Sequence, residues 1–246
     1  MSRDCLNEGI MRLKQLGITG DLKEWYIKKV LSENDIEHFK FYSRVPKYSH
    51  PENINPQIIC GTSHVSYNRD TTWIEMLGGL KNKIYFGGEK MASIINDYSL
   101  GGKDIGKYGD KYLIHGGNNR LCIAKFMELE SVKVDLHEYE FDYESFRIFN
   151  KIKELGLSVE YNKIEECVIW ELSTNNLSIR IYGSWLVDKF IEYYVSLSLM
   201  PYDYFKTLWY NYCKFEHESY YNIKLESQFE DLKMQLLAYK HHLLLI

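Results

Sequence analysis

The chain has 246 residues, 45% of them hydrophobic and 26% charged, with a net charge of −4 at pH 7 and a pI near 6.1. That length suits one large domain or two modest ones, and the composition is that of ordinary soluble globular proteins. The acidic balance excludes bulk attraction to nucleic acid or anionic membrane, and neither an apolar run of about 18 residues nor a signal peptide is visible.

Leu6, Ile10, Leu13 and Leu16 recur at helical spacing and stop at Gly17, which predicts a first helix over 4–17. Asp21 can cap a second helix through Leu22, Trp25, Ile27, Val30 and Leu31. Ser32 with Asp35 starts a third, so the first 42 residues read as helical. Pro46, Pro51 and Pro56, three of the four prolines, mark an extended connection. Ile58 to Cys60 and His64 to Tyr67 are short strand candidates. Ile84 to Phe86 reads as a strand, Gly87-Gly88 as a turn and Glu89 to Ile95 as a short helix. Gly101, Gly102, Gly106 and Gly109 break up the approach to Lys111.

Lys111 to Leu136 carries the only chemical suggestion. Tyr112 to Ile114 form a strand, Gly116 and Gly117 permit backbone torsions that a Cβ forbids, and Asn118 or Asn119 can cap the next helix. Leu121, Cys122, Phe126 and Leu129 share one face of that helix. Val132, Val134 and Leu136 then alternate with polar residues as a half-buried strand. Arg120 falls in the first helical turn, where a cation opposes the helix dipole by roughly a few tenths of a kcal/mol unless an anion sits beside it. Two readings are open: a phosphate cradle built from backbone N–H groups and the arginine fork, or a tight turn with a surface arginine.

Asp142 to Leu155 predicts a helix. Cys167 to Leu172 and Leu177 to Ile181, joined by Ser-Thr-Asn-Asn, predict a hairpin. Further helices begin at Ser184 and at Pro201. A final helix carries Leu225, Phe229, Leu232, Leu236, Tyr239 and Leu243 in steps of four and three, as in a coiled-coil seam. Such a seam packs on the preceding helices or on a second copy, giving a homodimer. Five cysteines without any CxxC pair point to reduced thiols and a cytoplasmic setting, with no disulfide framework or zinc site.

The run Ile114-His-Gly-Gly-Asn-Asn-Arg120, with Ala124-Lys-Phe126, Val132-Lys-Val134 and the helix at 89–95, resembles the ParB/sulfiredoxin-like superfamily over residues 81–136. The resemblance implies a small mixed sheet with helices within residues 1–140; the residue pattern continues it at 141–246 with a largely helical region containing one β-hairpin, so the fold class expected is α+β. It also implies a turn, Gly116, Gly117, Asn118, Asn119 and Arg120, that binds the phosphates of ATP or CTP with Mg²⁺. Members of the family include nucleotide hydrolases, ATP-dependent reductases, kinases and nucleases. Asn118 stands where the reductases carry a catalytic cysteine, Asn119 where many members have histidine, and His115 where kinase-like members often have aspartate.

Phosphoryl chemistry needs a carboxylate near the turn. Glu89, Asp104 and Asp110 are nearest in sequence, Asp70 and Glu75 are further candidates, and His115 can serve as acid or base. Glu89 and His115 are the catalytic candidates carried forward. The functional expectation is a nucleotide-binding protein that hydrolyses or transfers a phosphate. The alternatives are a non-catalytic adaptor that keeps the fold, or a nuclease or DNA-binding factor, which the acidic charge disfavours.

Overall fold

The computed structural model describes residues 3–67, 70–80, 88–97, 101–164, 167–174, 177–198, 200, 203–207 and 219–241. The fold is mixed α+β. The chain divides into two compact units, 1–141 and 142–246.

In the first unit, α1 (Arg3–Gln15), α2 (Trp73–Gly79), α3 (Gly88–Asn96) and α4 (Asn118–Phe126) accompany five strands. These are β1 (Tyr48–Ile54), β2 (Ile59–Thr62), β3 (Asp104–Tyr108), β4 (Lys111–Ile114) and β5 (Val132–Tyr139). They form one mixed sheet in the order β1-β5-β3-β4-β2, with β5/β3 and β4/β2 parallel and the other pairs antiparallel. Val132, Val134 and Leu136 point into the larger core with Ile105, Ile114 and the apolar faces of the helices. That alternation of buried and solvated positions is the period-two signal read from the sequence. On the other face Ile36, Tyr108 and Leu113 make a smaller core, flanked by Phe39, Tyr42 and Tyr139.

Helices α1 and α2 meet closely enough that a Cβ on Gly78 would lie 2.0 Å from the Cys5 carbonyl oxygen. The buried Arg12 guanidinium donates to the Leu77 and Leu80 carbonyls, each at 2.9 Å, and so satisfies the C-terminal end of α2. Helix α2 was not expected from the sequence. Its signal was present in Thr72 and Glu75, which form a capping box, but the helix is only seven residues long and ends in two glycines.

The two helices expected over 21–42 are short 3-10 turns instead, at Glu24–Ile27, Glu33–Asp35 and Phe39–Phe41. Backbone pairing wins over local propensity there: Lys29 bridges Thr72, and Leu31 bridges Gly61. Asp35 does accept from the Ser32 N–H and hydroxyl, yet His38 at φ +57° stops any longer helix. The connection through Pro51 contains β1 at the sheet edge, a place where proline is tolerated. His64 to Tyr67 is a turn and not a strand, because the Thr62 hydroxyl accepts the His64 N–H just past β2. The strand expected at 84–86 and the tip of the predicted hairpin at 175–176 lie outside the described residues.

The second unit contains α5 (Tyr143–Glu154), β6 (Ser158–Ile164), β7 (Cys167–Ser173), β8 (Leu177–Tyr182), α6 (Ser184–Ser196), β9 (Ser219–Ile223) and α7 (Lys233–Lys240). Asp142 caps α5 by accepting the Ser145 N–H. The expected hairpin β7/β8 is the centre of a four-stranded sheet in the order β6-β7-β8-β9, so this unit is less helical than its sequence suggested. Tyr161, Trp170, Leu172, Ile179, Ile181 and Ile223 are buried along one face of that sheet. The single terminal helix expected from Leu225 is divided into a 3-10 segment, Glu226–Leu232, and α7. Leu225 is exposed, whereas Phe229, Leu232 and Leu236 are buried within the unit; Leu243 lies outside the described residues.

Candidate functional site

The glycine turn is laced to the start of β3. The Asp104 carbonyl accepts from the N–H groups of His115 at 2.8 Å and Gly116 at 3.1 Å, and the Asp104 N–H donates to the Gly116 carbonyl at 3.2 Å. A Cβ on Gly116 would lie 2.1 Å from Asp104 Oδ2, so this position admits only glycine while the carboxylate stays in place. Gly117 takes φ +74° and is itself the residue capping α4. Asn118 is therefore the first helical residue, and its Oδ1 accepts from the Thr62 hydroxyl at 2.7 Å. The expected asparagine cap does not form, because that side chain is drawn towards β2. Asn119 is half-buried in the same turn of helix.

Arg120 is also half-buried. Its Nη2 donates to the carbonyls of Gly101 at 2.9 Å and Gly102 at 2.8 Å, while Nη1 is buried with no hydrogen-bond partner among the described residues. Beside it Lys103 is fully buried and donates from Nζ to the Ile95 carbonyl at 2.7 Å. Burial, and then the Arg120 charge, lower the Lys103 pKa. Two cationic side chains thus adjoin the turn, one of them carrying an unused donor.

Of the four described carboxylates read from the sequence, Asp70, Glu75, Asp104 and Asp110, only Asp104 reaches the turn. Asp110 lies at the far end of β3 and pairs with Lys111 at 2.9 Å. Glu75 is used by the capping box, and Asp70 sits 3.5 Å from Lys29. The Glu89 backbone is in the first turn of α3, but its side chain lies outside the described residues.

His115 rests on β3 at Gly106, where a Cβ would come within 2.3 Å of its Nε2. That nitrogen is 3.3 Å from the Tyr108 hydroxyl, and Tyr108 stacks on Tyr139 with centroids 4.5 Å apart. Burial, and secondarily the charge of His137, lowers the His115 pKa below its usual 6.5. A neutral imidazole at pH 7 is the result, able to accept a proton.

Sequence reasoning missed His137. Register places it between Ser49 on β1 and Gly106 on β3. Its Nδ1 is 2.9 Å from Ser49 Oγ, and its Nε2 is 3.7 Å from Asp104 Oδ1. No local motif announces this residue, since strand pairing alone brings it beside Asp104.

The remaining candidates are structural. His64 Nδ1 accepts the Ser66 N–H within its turn, and Cys122 is fully buried, with its thiol pKa pushed up by burial. Cys5, Cys60, Cys122 and Cys167 are free thiols; Cys213 lies outside the described residues. Among the described residues no three His, Cys, Asp or Glu side chains converge as a metal site, and no helix is long and apolar enough to cross a membrane. The chain matches no family model, no curated protein and no solved structure.

Proposed function

We propose that the Gly116 to Arg120 turn binds the phosphates of a nucleoside triphosphate, ATP or CTP, in the manner of the ParB/sulfiredoxin-like proteins it resembles. The observation that carries this reading is the buried Nη1 of Arg120 at the N-terminal turn of α4, which has no hydrogen-bond partner among the described residues. An unpaired guanidinium nitrogen is costly away from water, and a phosphate oxygen is a fitting acceptor for it. The Gly101 and Gly102 carbonyls hold the guanidinium in orientation through Nη2. Both glycines are exposed, so this segment can yield as a phosphate enters.

The donor set suits a Mg²⁺ shared between one protein carboxylate, Asp104, and phosphate oxygens, which is how the ion is commonly held in nucleotide sites. When bound there, the ion would neutralise charge that develops on the transferring phosphoryl group. His115, kept neutral by burial, takes the proton of the attacking water or hydroxyl. His137 orients the Asp104 carboxylate. Glu89 remains a proposed partner on the strength of its place in α3.

Calorimetry with ATP, CTP and GTP, with and without Mg²⁺, tests the reading. We expect binding of at least one nucleotide, weakened by Arg120→Ala. No binding to the wild type, or unchanged binding by that variant, overturns it. Release of labelled phosphate, abolished by Asp104→Asn, then separates a hydrolase or transferase from a binding protein.

A further inference from the structure

The four-stranded sheet of the second unit has a polar face opposite the one that carries Trp170. Cross-strand register sets Ser158, Ser173, Ser178 and Tyr220 in one row across it, with Glu160, Glu171 and Arg180 in the next. Together with Lys153 these residues line an open pocket of about 400 Å³, a size suited to a small ligand.

The polar groups are arranged but not consumed. Arg180 donates from Nε to Glu171 at 2.8 Å, and its guanidinium lies over the Tyr220 ring at 5.5 Å. This arginine is thus held in one orientation while still more than a third exposed. Glu160 stands directly opposite Glu171 on the antiparallel pair, a like-charge juxtaposition that works against sheet pairing, and it forms no ion pair with a described residue. The hydroxyls of the three serines make no hydrogen bond to another described side chain. Tyr220 is 52% exposed.

The two acids and two bases of the lining balance. A polyanion would meet Glu160 and Glu171, and a polycation would meet Arg180 and Lys153. A neutral ligand rich in hydroxyls meets neither repulsion and can use donors and acceptors alike. An aromatic ring beside them offers a flat apolar surface.

We propose that this sheet face binds a neutral saccharide of one or two rings. The apolar face of the sugar lies against Tyr220, and its hydroxyls bond to the Glu171–Arg180 pair and the serine row. This site is independent of the nucleotide reading.

Saturation-transfer NMR on the full chain, with glucose, galactose, N-acetylglucosamine and their β-1,4-linked dimers as probes, tests it. We expect transfer to at least one sugar, unaffected by ATP. Tyr220→Ala and Ser178→Val, both at exposed positions, should weaken it, the first by about tenfold. No transfer to any sugar from folded wild type overturns the proposal, as does equal transfer from both variants. Displacement of the sugar by oligouridine would identify the face as a stacking platform for single-stranded nucleic acid and also overturn it.

Discussion

Asp104 occupies the volume that a side chain at residue 116 would need: its Oδ2 lies 2.1 Å from where a Gly116 Cβ would be. Gly116→Ala must therefore displace the carboxylate or the turn. We expect a loss of at most about 1 kcal/mol, because the obstructing atom ends a side chain that is 38% exposed and can turn aside, together with weakened nucleotide binding. Adding Asp104→Ala should restore most of the stability and none of the binding. Denaturant melts of the two single variants and the double variant give the coupling between them. Additive losses would refute the steric account.

A similar contact governs His115, whose imidazole sits where a Gly106 Cβ would be. Its folded pKa lies below the unfolded value near 6.5, so between the two the unfolded chain binds more protons. Stability from this group is complete above pH 6.5 and is lost as pH falls through the folded pKa. Gly106→Ala should push the ring towards water and raise its pKa back towards 6.5. Proton NMR of the imidazole over about two pH units either side of ordinary histidine reads this directly. A midpoint unchanged by the substitution would count against burial as the cause.

Lys125 offers a second titration. Only 5% exposed, it lies over the rings of Trp25 at 4.9 Å and Trp73 at 5.0 Å and donates to the Gln57 carbonyl at 2.9 Å. Burial pushes its pKa from 10.5 down to about 8. Between those values the folded chain has released a proton that the unfolded chain keeps, so stability rises with pH. Buried thiols such as Cys122 oppose this at the alkaline end, so the comparison must be with Lys125→Met. The stability of wild type relative to that variant should climb by up to about 1.4 kcal/mol per pH unit above pH 8. A flat difference across that range would show that the amine titrates as in water.

The terminal leucines separate two readings of one pattern. Leu236 is fully buried and Leu225 is 62% exposed. We expect Leu236→Ala to cost about 2–5 kcal/mol and Leu225→Ala less than about 0.5 kcal/mol. Thermal or urea unfolding measures both. Equal costs, each dependent on protein concentration, would instead indicate a continuous seam between two copies.

The strongly periodic elements were legible. The helix stopped by Gly17, the strand of Val132, Val134 and Leu136, the helix capped by Asp142 and the β7/β8 hairpin all appear where local pattern put them. Residues 21–42 misled because their helical spacing was overridden by bridges to β2 and to the start of α2. Strand β3 was hidden by Gly102 and Gly106, which read as breakers. Gly106 is in fact a strand position left empty for His115, the residue that follows the next strand.

For the candidate site, sequence alone determined the strand, the glycine turn and the placing of Arg120 in the first turn of α4, because these depend on torsions and spacing within a few residues. Only the tertiary structure decided which carboxylate and which second imidazole stand beside that turn. Asp104 and His137 arrive on separate strands, and Asp110, closer to the turn in sequence, is carried to the opposite end of β3. Strand pairing brings residues together by register, and register is set by the whole sheet.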